Sequence, residues 1–249
     1  MELVELDVLR PYRERYEAIP VRPLRVYLEL VDGGQLAGYD PINFDNLLAR
    51  AVLEEATGGS LVPNTHDAYV LPVPLKCLWR SPEGLPLWAA IPFWTEGVPV
   101  NDVAYWHKRV QTGRWTGTKS GTFAVRPTQG RWMERRVPLP TKAGCNVWFA
   151  DCIGNAEEIA RLLRPFTHVS KRRSNGFGAV RRWRIVEIEE FQLVRDGALT
   201  RPMIAEALPE LLPGVSFVEE PAPVGWTPPQ WKPSLFRPGW WAGTKVVAA

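Results

Sequence analysis

Apolar and polar residues alternate from Leu24 onward, with Leu24, Val26, Leu28 and Leu30 interleaved by Arg25, Tyr27 and Glu29. That period of two predicts a strand with one face on a core and the other in water, ended by Asp32-Gly33-Gly34. The period then lengthens. Phe44, Leu47, Leu48, Ala51 and Val52 recur at helical spacing, so residues 41–56 are expected as a helix with one stripe packed on a sheet. Asp40-Pro41 supplies the start, a carboxylate to cap free amides and a proline at the first helical position, and Gly58-Gly59 supplies the stop. Further on, a strand is expected near residues 87–94 in an apolar stretch whose prolines confine it to an edge. Val147-Trp148-Phe149-Ala150 reads as a buried strand. Asn155 and Glu158 form a capping box for a helix carrying Ile159, Leu162, Leu163 and Phe166. Residues 179–189 form the last strand. The order β-α-β-β-α-β predicts an α+β, ferredoxin-like domain of the kind that underlies RNA-recognition folds.

This organisation assigns the ferredoxin-like domain to residues 24–200. Residues 1–23 become a polar lead-in, and residues 201–249, with nine prolines and Trp226, Trp231, Trp240 and Trp241, an extended tail docked on a surface. Residues 104–142 interrupt the domain. Glycines at 113, 117 and 121 disfavour a helix there and predict a hairpin projecting from the sheet.

Charge sharpens the picture. The chain of 249 residues has a net charge of +3. Residues 104–142 nevertheless hold nine Lys/Arg against Glu134 alone, and residues 161–184 hold eight with no acid. Two basic segments on an otherwise acidic chain are the footprint of local nucleic-acid contact. No apolar run reaches the length of a membrane span, and the acidic start is unlike a signal peptide, so a cytoplasmic protein with no membrane partner is expected. Cys77, Cys145 and Cys152 form no C-x-x-C pair, and His66, His107 and His168 are scattered, which argues against a metal site.

The candidate binding residues fall in those segments. Lys171, Arg172 and Arg173 precede Asn175-Gly176-Phe177-Gly178, and Arg181, Arg182 and Arg184 follow. Glycines let backbone approach a phosphate, and Phe177 offers a face for a base. The spacing fits neither a dinucleotide fingerprint nor a P-loop, so no cofactor is expected. In the insertion, Trp106, His107, Lys108, Arg109, Arg114, Trp115, Lys119 and Arg126 interleave aromatics with cations, as a single-strand binder needs. The plain alternatives are a solvated basic hairpin and tryptophans that belong to the core.

The helix reading Asp40-Pro41-Ile42-Asn43-Phe44-Asp45-Asn46-Leu47-Leu48-Ala49 and the loop Lys-Arg-Arg-x-x-Gly-Phe-Gly before the last strand resemble the RAMP superfamily of CRISPR proteins. Within it, the likeness is to the Cas five-type subunit of type IV effector complexes, over about residues 24–200. The resemblance implies a non-catalytic subunit that caps a Cascade-like ribonucleoprotein and grips the repeat-derived 5′ handle of the guide RNA. Its thumb-like insertion would lie against the backbone RAMP subunits, near the large subunit and the target double-stranded DNA beside the protospacer-adjacent motif. Lys171, Arg172, Arg173, Gly176, Phe177 and Gly178 match the family's loop; the insertion matches by position and charge, and the Trp-rich tail matches nothing in it. An enzyme on the same fold remains the competing expectation, a metal-independent guide-RNA-processing endoribonuclease with His168, or secondarily His107, as general base. A ribosome or RNA-chaperone accessory domain fits the charge but not the helix motif.

Overall fold

The computed structural model describes residues 3–60, 68–108, 128 and 133–247. The chain runs α1 (Arg10–Ala18), β1 (Arg22–Leu30), β2 (Leu36–Ala37), α2 (Phe44–Ala56), β3 (Cys77–Arg80), β4 (Pro86–Trp88), β5 (Val100–Lys108), β6 (Arg135–Ala143), β7 (Val147–Gly154), α3 (Ala156–Leu163) and β8 (Val180–Glu187). Short strands and a one-turn helix follow: β9 (Val194–Arg195), β10 (Ala198–Leu199), β11 (Met203–Ile204), α4 (Leu208–Leu211), β12 (Ser216–Phe217), β13 (Ala222–Val224), β14 (Arg237–Trp240) and β15 (Val246–Val247). The architecture is α+β with antiparallel sheets.

The central sheet has the order β7-β1-β8, antiparallel throughout. Alternation along β1 does what its pattern dictates: Leu24, Val26, Leu28 and Leu30 are buried in one core with Phe44, Leu48 and Val52 of α2 and Ile159 and Leu163 of α3. Residues 89–94 line the far side of β7. Ile91 N donates to Asp151 O, Ile153 N to Ala89 O, and Trp94 and Phe149 exchange both backbone bonds. Pro92 has no N–H to give, so this edge is held by isolated pairs rather than a continuous ladder. The helices cover one face of the sheet; Arg25, Tyr27 and Glu29 face the other.

A second sheet, β2-β6-β5, contains the two ends of the basic insertion. β5 and β6 pair without interruption from Val100↔Ala143 to Lys108↔Arg135, so the described part of residues 104–142 is a two-stranded ribbon. Arg109, Arg114, Trp115, Lys119 and Arg126 lie outside the described residues.

Local details depart from the sequence reading. α2 begins three residues later than expected, with Asn43 at its cap and no side-chain cap bond, because Asp40 pairs instead with Lys171 at 2.8 Å. α3 keeps half of its capping box: Asn155 Oδ1 accepts from Glu158 N, while the Glu158 carboxylate turns to Arg15, Tyr16 and Arg161. Those contacts hold α1 in place, within a lead-in whose polar composition concealed a helix. Residues 201–247 are not extended chain. Met203, Ile204, Val224, Trp226 and Leu235 form a second buried cluster with Leu85 and Leu87 of the β3–β4 region.

A buried polar contact joins that cluster to α2. Gln230 Nε2 donates to both oxygens of Asp45 at 3.1 and 3.2 Å, and Arg201 Nη2 stands 3.7 Å from Asp45 Oδ2. Arg201, 1% exposed, also donates to the carbonyls of Trp226 and Trp88. Burial pushes the Asp45 carboxyl up to about 6, against the opposing pull of Arg201.

Candidate functional site

The basic loop after α3 is built on backbone geometry that few residues tolerate. Ser170 and Arg172 adopt φ of +70° and +58°, and Gly176 and Gly178 adopt +88° and +68°. The strain at Ser170 is held by its own hydroxyl, which accepts from Ala37 N at 3.1 Å, and Gly178 N donates to Gln35 O at 2.8 Å. These bonds fasten the loop to the segment around β2, and β2 in turn pairs with β6. The loop therefore lies against the root of the ribbon.

The two glycines serve different ends. A Cβ on Gly176 would meet nothing within 4 Å, so its backbone is open to a ligand. One on Gly178 would stand 1.9 Å from Val169 O. Gly178 is buried, and its lack of a side chain serves the chain's own close approach, not that of a phosphate: Val169 N donates to Gly178 O at 2.9 Å.

Arg172 is exposed and its guanidinium carbon lies 5.4 Å from the ring centre of Trp106 on β5. A loop and an insertion some 65 residues apart thus share one surface. On the opposite face of the ribbon, Arg136 stacks over Tyr105 at 3.5 Å, next to His107, its cross-strand partner. Tyr105 is 47% exposed. Lys108 ends β5.

The apparent absence of acids from the loop is a property of the sequence and not of the surface. Glu29 pairs with Arg182 at 2.6 Å and Arg184 at 3.7 Å, Asp32 with Arg181 at 3.6 Å, and Asp40 with Lys171 at 2.8 Å. The hydrogen bond from Arg182 holds the Glu29 carboxyl below its ordinary range. All four cations remain exposed, so these pairs contribute little to stability and can exchange their carboxylates for phosphates. Arg173, Asn175 and Phe177 complete the loop, Arg173 and Phe177 half-buried and Asn175 exposed.

One residue of this surface, Tyr27, escaped the sequence reading. Arg184 stacks over Tyr27 at 3.7 Å on the open face of the central sheet. Tyr27 stands on the polar side of an alternating strand, and that placement was the available signal. His168 is half-buried, its Nδ1 3.1 Å from Thr167 Oγ1, and it lines a 330 Å³ hollow with Glu54 and Arg173. Among the described residues no group of His, Cys, Asp and Glu is placed to hold a metal, and no helix is long and apolar enough to cross a membrane. Cys152 is buried, which pushes its thiol up, out of the nucleophilic range.

No protein-family model matches the sequence, and comparison with curated proteins returns no match.

Proposed function

We propose that the chain is a non-catalytic RNA-binding subunit of a CRISPR ribonucleoprotein, a RAMP protein of the Cas five type that grips the 5′ handle of a guide RNA. The observation that carries this reading is the meeting of Arg172 and Trp106, which joins the basic loop and the basic ribbon into one surface of exposed cations and aromatic faces. Cations that hold phosphates beside rings that stack on bases are the requirement for a single strand. The order β8-β1-β7, with residues 89–94 beyond β7, is the order a ferredoxin-like β-α-β-β-α-β chain takes when its last strand returns beside its first, and it supports the RAMP assignment. In that assembly the ribbon meets the backbone subunits, with the large subunit and target duplex close by, and the protein works in the cytoplasm.

The test is binding of a repeat-derived RNA across a salt series. A variant with Lys171, Arg172 and Arg173 all changed to Ala should bind more weakly and lower the slope of log affinity against log salt by up to about 2, since each neutralised single-strand phosphate contributes about 0.7. An unchanged slope removes the loop from the interface.

A second reading draws on the hollow in which His168 lies with Glu54 and Arg173, a base, a carboxylate and a cation in one place. In the same binding mixtures the intact protein should leave the RNA uncut. Cleavage abolished by His168→Ala with binding retained would establish the endoribonuclease instead.

A further inference from the structure

The face of the central sheet turned away from α2 and α3 carries a row of four residues in direct cross-strand register, of which Phe149 is buried beneath Arg25 and Arg195. Arg184 of β8 pairs with Tyr27 of β1, Tyr27 with Phe149 of β7, and Phe149 with Trp94 on the outer edge. Directly paired residues put their side chains on the same face. The neighbouring positions confirm which face it is: Phe93 packs edge-on against Phe44 of α2 at 5.6 Å, and Trp183 lies 6.1 Å from Phe93. Phe93 and Trp183 thus take the helix side of the sheet, and the row lies on the side away from α2 and α3.

Along the row, guanidinium groups cap the rings. Arg184 covers Tyr27 at 3.7 Å and Arg25 covers Phe149 at 4.2 Å, Arg25 itself being fixed by two bonds to the buried Asp151. Trp94 is the exception. It is 38% exposed, and among the described residues no cation stands over it. A large flat apolar group left open at the end of a capped row is the feature that asks for an occupant.

Beside Trp94 lies a cavity of about 380 Å³, at the small end of the range that holds organic ligands. Phe149 and Ile91 contribute apolar lining, the turn between β9 and β10 brings Asp196, and the C-terminal strand region brings Gly243 and Lys245. Gly243 sits so close that a Cβ there would be 3.9 Å from the Trp94 ring. Glu96 and Asp196 also line the cavity, and neither pairs with a cation among the described residues; Lys245 likewise pairs with no carboxylate. Arg195, the other cation of the lining, is committed to Asp151.

We propose that this cavity receives one unstacked nucleobase bearing an exocyclic amino group, taken from the RNA strand as it leaves the basic loop. The ring stacks on Trp94, the amino group donates to Glu96 or Asp196, and the attached phosphate meets Lys245. Adenine, cytosine and guanine have that donor; uracil presents only carbonyl oxygens and a ring N–H, and two carboxylates with no donor of their own discriminate against it. The row from Arg184 to Trp94 gives the strand its path, since bases stack on guanidinium planes as well as on rings. The inference rests on the single-strand RNA reading above and adds to it a second, base-selective contact at the far edge of the sheet.

The experiment follows the tryptophan indole N–H signals of the ¹⁵N-labelled protein, with Trp94 assigned by its loss in Trp94→Phe, during titration with AMP, CMP, GMP and UMP. The amino-bearing nucleotides should move the Trp94 signal at concentrations about fivefold or more below those UMP requires, the low end of what a lost base-edge hydrogen-bonding contact costs. Combined Glu96→Gln and Asp196→Asn should shrink that preference. No movement of Trp94, or equal movement by UMP, overturns the proposal. Binding of 12-residue oligoadenylate and oligouridylate is measured in parallel. If both strands bind with the expected salt dependence while Trp94 stays unmoved, the pocket fails and the RNA reading stands. If the mononucleotides move Trp94 while neither strand binds, the RNA reading fails and the pocket remains a nucleotide site.

Discussion

Gly176 and Gly178 flank Phe177 and share the same left-handed backbone, yet their substitution should differ sharply. Gly176→Ala meets open space and costs only the backbone preference, about 1 to 2 kcal/mol. Gly178→Ala drives a methyl to within 1.9 Å of Val169 O and must break the Val169–Gly178 pairing, so about 3 kcal/mol or more is expected in urea unfolding. Equal losses in the two variants would show that the loop relaxes freely. The Gly-Phe-Gly motif was legible in the sequence; the division of labour inside it was not, because it depends on a carbonyl nine residues earlier in the chain. The same holds for Glu29, Asp32 and Asp40, each of which looks unremarkable in sequence and neutralises a loop cation in space.

Elements with strong periodicity were readable, and the weakly patterned ones were not. β1, the apolar stripe of α2, the cap of α3 and β8 each follow from local spacing, since the residues that bury them repeat along the chain. α1 buries little beyond Tyr16 and is held by Glu158, more than 140 residues away. The two-residue strands between 194 and 247 are too short to show any period. The ribbon gives a test at this scale. Lys108 and Arg135 are the last pair of its ladder, so replacing residues 109–134 with Asn-Gly closes the same register through a two-residue turn. The shortened protein should keep its far-ultraviolet circular dichroism and melt within a few degrees of the parent. It loses five Lys/Arg, Arg109, Arg114, Lys119, Arg126 and Arg131, and its RNA binding should become weaker and less dependent on salt. Retained affinity would confine the interface to the loop and the sheet.

For the whole molecule, opposing titrations set the pH dependence. Arginine partners hold the carboxyls of Glu55 and Glu29 low, and at Glu158 bonds from Arg161 and Tyr16 outweigh the burial that alone would raise it. Stability from these groups is present above the ordinary carboxylate range and is lost as the pH falls through their depressed values. Asp45 acts in the other direction. Its folded value of about 6 lies above the ordinary 3.8, so its contribution is complete below 3.8 and disappears as the pH rises through about 6. Between pH 7 and pH 5 the wild type should gain about 1 kcal/mol relative to Asp45→Asn, read as the difference between their urea midpoints. A constant difference across that range would place Asp45 in a more polar setting than its contacts with Gln230 and Arg201 imply.

That same trio has a consequence for the order in which the chain is made. Asp45 emerges from the ribosome early, with α2, whereas Arg201 and Gln230 follow by more than 150 residues. Until they arrive, the helix can pack its apolar stripe but must leave one carboxylate without the donors that its final environment requires. Domains generally fold as units during synthesis from the N-terminal end. Here α2, central to the main core, waits for the last fifth of the chain.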